Sequence, residues 1–195
     1  MATFGNLQTD VEPIAGLVRD HLEVHGLVTA TREAIEAALG DVSNNALAVQ
    51  ALEGVRDLSA YLSEDLVIHI AKEEDVLFPA LRGVAAEFPK MLDEMVEQHD
   101  EIRLRKSNLD RALAHMDESH DDVQSAALGV ARALAGAGGP AADSLAEVHD
   151  AVKRLDWIMQ GHFGDEEDDL FPPALDLLPR ERFAELARQA AALDL

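Results

Sequence analysis

Apolar residues recur at intervals of three and four along most of the chain, which is the period of one face of an α-helix. One such run covers about 11–39, and a second one leads up to residue 70. Two more cover about 86–116 and the stretch before residue 160. The clearest run, the second, carries its apolar residues at Leu52, Val55, Leu58, Leu62, Leu66 and Ile70. The pattern therefore predicts four long amphipathic helices.

Short breaks separate the predicted helices. Gly40 is a suitable end for the first helix and Ser43 a suitable N-cap for the second. Glycine also follows the second helix at 83, and a Gly-rich stretch at 136–140 precedes the fourth. Two helical hairpins joined in this way predict an all-α fold, an up-down antiparallel four-helix bundle.

Three details complete the predicted architecture. Residues 119–134 are predicted to form an extra short helix or an extension of the third helix. A short C-terminal helix is predicted over about 180–193, packed on the outside of the bundle. Tyr61 and Trp157, the only residues of their types, are predicted to lie in the bundle core.

Length and composition fit this prediction. The chain has 195 residues, which suits one domain spanning 1–195, with a core at about 11–178. Aromatic residues make up only 4% of the chain, and a composition rich in Ala and Leu favours helix over sheet.

Charge and cysteine content exclude several function classes. The chain has 38 Asp and Glu against 16 Lys and Arg, a net charge of −22, so no basic footprint for nucleic acid is present. Anionic membrane surfaces would repel such a chain, and no apolar run reaches the length of a membrane span. Without cysteine, neither disulfides nor thiolate metal sites are possible. The first residues do not resemble a signal peptide, so a cytoplasmic location is expected.

One sequence block occurs twice, at 69–79 and at 162–172. Both copies have the pattern H-x-x-x-E-E-D-x-L-F-P. Pro79 and Pro172 are expected to stop or kink the helix in each copy, which accounts for the end of the block. It does not account for the histidine and the paired acids.

The block places potential metal ligands at helical spacing. His69 and Glu73 lie four residues apart, as do His162 and Glu166, so each pair occupies one helix face. The two helices without the block also carry one histidine each in similar surroundings, His21 after Asp and His99 after Gln. The plain alternative is a solvated acidic face with unrelated histidines.

The matched placement favours a metal site over that alternative. Six such groups in a bundle interior would be costly to bury without a cation. Glu-x-x-His, the ferritin-like spacing, does not occur at any of the eight histidines, and the zinc-protease pattern H-E-x-x-H is absent.

This arrangement of residues resembles the hemerythrin-like family, in particular its HHE cation-binding branch, over about 11–178. The resemblance implies an up-down four-helix bundle with a non-haem di-iron centre, in which an oxo or hydroxo group bridges the irons. It implies histidine terminal ligands and bridging carboxylates, which are here His21, His69, His99 and His162 with Glu73 and Glu166. Glu74 and Glu167 lie about 100° further round the helix and are expected beyond the ligands or at the surface.

The chain also departs from the oxygen-carrying members of the family. These have H-x-x-x-H on the third helix, where this chain has His99-x-x-x-Arg103. A matching spacing occurs instead on the first helix, from His21 to His25, which makes His25 a candidate fifth histidine ligand. Two six-coordinate irons offer about twelve positions. Without His25 about two positions stay open, and with it only one.

The resemblance implies a protein that binds or reacts with dioxygen, nitric oxide or peroxide. One alternative is a di-iron enzyme that reduces peroxide or nitric oxide, or that donates iron for repair. Another is an iron-buffering protein. The redox chemistry would call for a redox partner, and no nucleic acid or membrane partner is expected.

Overall fold

The structure, a computed structural model, describes residues 7–41, 44–118 and 140–194. All regular secondary structure in these three ranges is helical, which confirms the predicted all-α class. The α-helices are α1 (Ile14–Gly40), α2 (Asn45–Ala71), α3 (Phe78–Leu81), α4 (Phe88–Glu118), α5 (Pro140–Asp165), α6 (Phe171–Leu177) and α7 (Arg180–Ala191). Two π-helical segments, Lys72–Leu77 and Glu166–Leu170, follow α2 and α5.

The predicted helices correspond closely to α1, α2, α4 and α5, and the predicted C-terminal helix to α7. The predicted N-cap Ser43 and the predicted extra helix at 119–134 lie outside the described residues. Asn44 caps α2, because its side-chain Oδ1 accepts a hydrogen bond from the Ala46 backbone N–H at 3.1 Å. None of the described helices is both long enough and apolar enough to cross a membrane.

The two prolines do not stop the helix, which was one of the two predicted outcomes. Pro79 and Pro172 do not end the helical path but lie at the start of α3 and α6, each directly after a π-helical segment. In these segments the Phe78 N–H donates to the Glu73 carbonyl, and the Phe171 N–H to the Glu166 carbonyl. A five-residue hydrogen-bond step widens the turn, so the chain passes a residue that has no N–H without leaving the helical path.

The chain divides into two compact units. The first contains Met1–Val24, Leu62–Ile102 and Ile158–Leu195. It takes the beginnings of α1 and α4 and the ends of α2 and α5, so neighbouring helices alternate in direction, as in an up-down bundle. Its core includes buried side chains of α7, Phe183 and Leu186, so the C-terminal helix contributes to the packing.

The second unit contains His25–Tyr61 and Arg103–Trp157. Its interior is aliphatic, with Val28, Ile35, Val55, Leu58, Leu109, Val148 and Val152 fully or almost fully buried. Polar links join its helices, among them a hydrogen bond of 3.1 Å from the Thr31 hydroxyl to the Gly54 carbonyl. Trp157 is 77% exposed, so its predicted place in the core is wrong. The buried positions of α5 at Leu155 and Met159 leave Trp157 on the outer side of the helix.

An ion pair in the second unit gives a stability prediction. Arg32 Nη1 donates to Asp156 Oδ2 at 3.0 Å, and the Asp156 side chain is only 7% exposed. Arg32→Met removes the charged donor from this buried carboxylate, and we expect the free energy of unfolding to fall by about 1–3 kcal/mol. Urea denaturation measures the loss, with Arg154→Met at an exposed position of the same unit as the control. Equal stability of the two variants would contradict the prediction.

Candidate metal centre

Four histidines and two glutamates meet in the interior of the first unit. His21 comes from α1, His69 from the end of α2, His99 from α4 and His162 from the end of α5. Each π-helical segment begins with or next to a buried glutamate: Glu73 in the first and Glu166 in the second. None of the six is more than 3% exposed.

The six side chains form two overlapping groups. Group A contains His21, His69, Glu73 and Glu166, and group B contains His99, His162, Glu73 and Glu166. Within each group, the potential ligand atoms all lie within 4.8 Å of one another. Both glutamates belong to both groups, so the geometry offers two adjacent places for a cation that share two carboxylates.

Each shared carboxylate faces one histidine of each group. The Glu73 oxygens lie 3.2 Å from His69 Nε2 and 3.1 Å from His99 Nε2. The Glu166 oxygens lie 3.1 Å from His21 Nε2 and 3.5 Å from His162 Nε2. One oxygen of each glutamate thus points to group A and the other to group B, which is the arrangement of a bridging carboxylate.

The other nitrogen of every ring is held from outside the cluster. His21 Nδ1 lies 2.9 Å from Glu167 Oε1, and His99 Nδ1 lies 2.7 Å from Glu74 Oε1. His69 Nδ1 lies 3.2 Å from Asp20 Oδ2, and His162 Nδ1 lies 2.8 Å from Gln98 Oε1. These oxygens accept a hydrogen bond from Nδ1–H, which leaves the Nε2 atom of each ring facing the interior of the cluster.

The sequence predicted the four outer acceptors only in part. Glu74 and Glu167 lie beyond the ligands, as one of the two expectations stated, and each bonds a histidine of the other hairpin. Asp20 and Gln98 were missed as partners, although each directly precedes one of the matched histidines. That shared position was the signal available in the sequence.

Several inward-facing atoms have no hydrogen-bond partner. Among the described residues, buried atoms in this condition include His21 Nε2, His69 Nε2 and all four oxygens of Glu73 and Glu166. Buried carboxylates without donors are costly, and cations in the two groups would satisfy them. Imidazole nitrogen together with carboxylate oxygen is a donor set suited to a first-row divalent metal. The residues therefore fit a metal centre.

The pKa shifts of the clustered residues show how the charges of the histidines and glutamates depend on one another. Burial lowers the pKa of His69, but the Glu73 carboxylate and the hydrogen bond to Asp20 outweigh it and raise that pKa to about 10. Burial and the adjacent Glu73 carboxylate raise the pKa of Glu166 to about 7. At His162, burial and the charge on His99 hold the pKa well below its usual value. In the metal-free cluster the proton on His69 thus offsets carboxylate charge, and a cation bound at Nε2 would replace that proton.

Aromatic rings enclose the cluster. Phe163 stacks on His21 with ring centroids 4.0 Å apart, and Phe78 lies parallel to His99 at 5.8 Å. Phe171 also faces His21, at 6.0 Å. All three phenylalanines are buried, so apolar side chains cover these faces of the histidine rings.

The other histidines of the described residues are members of neither group. His25 belongs to neither group and is half-buried, so its role as a fifth ligand stays a prediction. His115 faces Glu147, and His149 faces Glu36, in the second unit. His120 lies outside the described residues.

Comparison with known families agrees with this geometry. The model of the hemerythrin HHE cation-binding domain matches the chain over residues 12–135 and 111–194. No curated protein and no solved structure matches the chain. The matched ranges contain all six clustered side chains, and together they cover most of the sequence. The chain therefore belongs to the hemerythrin HHE cation-binding domain family.

Proposed function

We propose that the protein holds two iron ions, one in group A and one in group B, and uses them to bind or react with a small oxidant. Dioxygen, nitric oxide and peroxide are the candidates. The observation that carries the proposal is the sharing of Glu73 and Glu166 by both groups, with each carboxylate facing a histidine on either side. A site for a single metal ion does not require two carboxylates shared between two groups of ligands.

Iron suits both the ligands and the proposed chemistry. A mixed set of imidazole and carboxylate ligands accommodates ferrous and ferric iron, and iron supplies the redox change that an oxidant requires. The two glutamates would offset the added positive charge. Through their hydrogen bonds to Nδ1, Asp20, Glu74 and Glu167 would keep the histidine rings oriented.

The enclosure of the cluster supports a small ligand. The buried phenylalanines at 78, 163 and 171 cover faces of the histidine rings, and the six clustered side chains are almost fully buried, which leaves room for a small ligand rather than a large substrate. A dry, apolar surrounding also protects a reactive centre from side reactions.

Metal content and an optical spectrum test the proposal. Protein purified from iron-supplied cells should contain two irons per chain and show a near-ultraviolet charge-transfer band that changes on addition of azide. Peroxide and nitric oxide kinetics would then separate reversible binding from turnover, and iron release without turnover would indicate buffering. A single zinc, or no iron after careful reconstitution, would contradict the redox function.

His25→Ala tests the fifth-ligand prediction. If His25 binds iron, the variant keeps its iron but opens a further coordination position, so its affinity for azide changes. An azide titration followed by absorbance measures this. A titration curve identical to that of the unaltered protein would restrict the ligands to the six clustered side chains.

A further inference from the structure

The outer hydrogen bonds differ between the two groups. In group A both histidine rings donate to carboxylates, His21 to Glu167 and His69 to Asp20. In group B only His99 does so, to Glu74, whereas His162 donates to the neutral side-chain amide of Gln98.

Asp20 and Gln98 occupy equivalent positions in the two halves of the repeat. Asp20 precedes His21, and Gln98 precedes His99, and each reaches the histidine at the end of the following long helix. The same structural place therefore holds a charged acceptor beside group A and an uncharged one beside group B.

A further contact holds the Gln98 amide in place. Gln98 Nε2 donates to Asp165 Oδ2 at 2.9 Å, which leaves Oε1 facing His162 Nδ1 at 2.8 Å. The equivalent of Asp165 in the other block is Lys72, which forms an ion pair with Asp194 at 2.8 Å instead. The difference between the groups thus extends to the residue that orients the acceptor.

The two remaining acceptors differ in exposure. The Glu167 side chain beside group A is 2% exposed, while that of Glu74 beside group B is 26% exposed. Water screens the Glu74 charge more strongly, so its effect on the ring is weaker. Asp20 is 32% exposed and is also screened, but Gln98 carries no charge at all.

A carboxylate that accepts from Nδ1–H makes the imidazole a stronger donor to a metal at Nε2. We propose that group A is the tighter of the two cation positions and fills first, and that group B is the weaker position, which loads second and releases first. Asp20 and Gln98 are the positioning residues that set this order. The proposal rests on the two-cation site of the proposed function.

Stepwise titration with Co²⁺ tests the order of filling. The full chain, stripped with a chelator, is titrated by calorimetry while the cobalt d–d absorption is recorded. Asp20→Asn keeps the shape and the acceptor but removes the charge, so we expect the tighter step to weaken about 10- to 100-fold. The weaker step should stay as in the unaltered protein.

The reciprocal variant should act on the other step. Gln98→Glu combined with Asp165→Asn introduces the charge beside His162 and retains a donor for the second oxygen. We expect it to tighten the weaker step about 10- to 100-fold. The control for the charge lost in Asp20→Asn is Asp57→Asn, at an exposed position about 18 Å before His69 along α2.

The outcomes separate this proposal from the proposed function. A weakening of only the weaker step by Asp20→Asn, or equal changes in both steps, would overturn the order of filling. Unchanged binding in both variants would overturn it as well. Because Co²⁺ binding needs no oxidant, two steps in the expected order with no azide-sensitive iron band would contradict the redox function alone.

Discussion

Glu73→Ala is expected to remove both bound cations from the chain, whereas His69→Ala is expected to remove one. Glu73 faces a histidine of group A with one oxygen and a histidine of group B with the other, so its loss deprives both positions of a ligand. His69 belongs to group A alone. Metal analysis of the purified variants measures the difference directly.

The series has internal controls. Glu64→Ala removes an exposed glutamate nine residues earlier on α2 and should keep the full metal content. Glu73→Gln retains a single carbonyl oxygen, so it should keep no more than one cation. Circular dichroism verifies that each variant remains helical. Two irons per chain in Glu73→Ala would refute the bridging role of this residue.

Removal of the metal should lower the melting temperature by roughly 8–16 °C. A cation present at about a thousand times its dissociation constant stabilises the folded state by about 4 kcal/mol. For a chain of this length, each kcal/mol corresponds to about 2–4 °C. The buried oxygens of Glu73 and Glu166 that lack hydrogen-bond donors show where that stabilisation would act.

Thermal denaturation with and without a chelator measures this shift. Glu73→Ala should melt at the same temperature under both conditions, because it has no cation to lose. Re-addition of Fe²⁺ under anaerobic conditions should restore the original melting temperature of the unaltered protein. An unaltered protein whose melting temperature does not respond to the chelator would show that the cluster holds no stabilising cation.

Most of the cluster could be predicted from spacing alone. A helix repeats every 3.6 residues, so a histidine and a glutamate four residues apart must share a face, and the repeated block supplied two such faces. The matched histidines at 21 and 99 completed the set. Periodicity failed at Trp157, where an apolar side chain lies one step off the buried stripe and faces outward.

The π-helical segments could not be predicted in this way. Regular 3.6-residue geometry places Glu74 and Glu167 about 100° beyond Glu73 and Glu166, but it shows neither the wider turn nor the ring that each carboxylate meets. Local sequence does not reveal which hydrogen-bond step a helix adopts next to a proline, because tertiary context can override local helix preference.

The sequence by itself determined the helices, the repeated block and the six residues most suited to bind metal, because all of these follow from local spacing and residue chemistry. Only the tertiary structure decided which histidines face the same carboxylate and which acceptor each ring meets. Those contacts join residues as far apart in the sequence as His21 and Glu167, and their geometry depends on how separate helices pack. The difference between Asp20 and Gln98 is visible in the sequence, but it gains a meaning only when each is placed against its histidine.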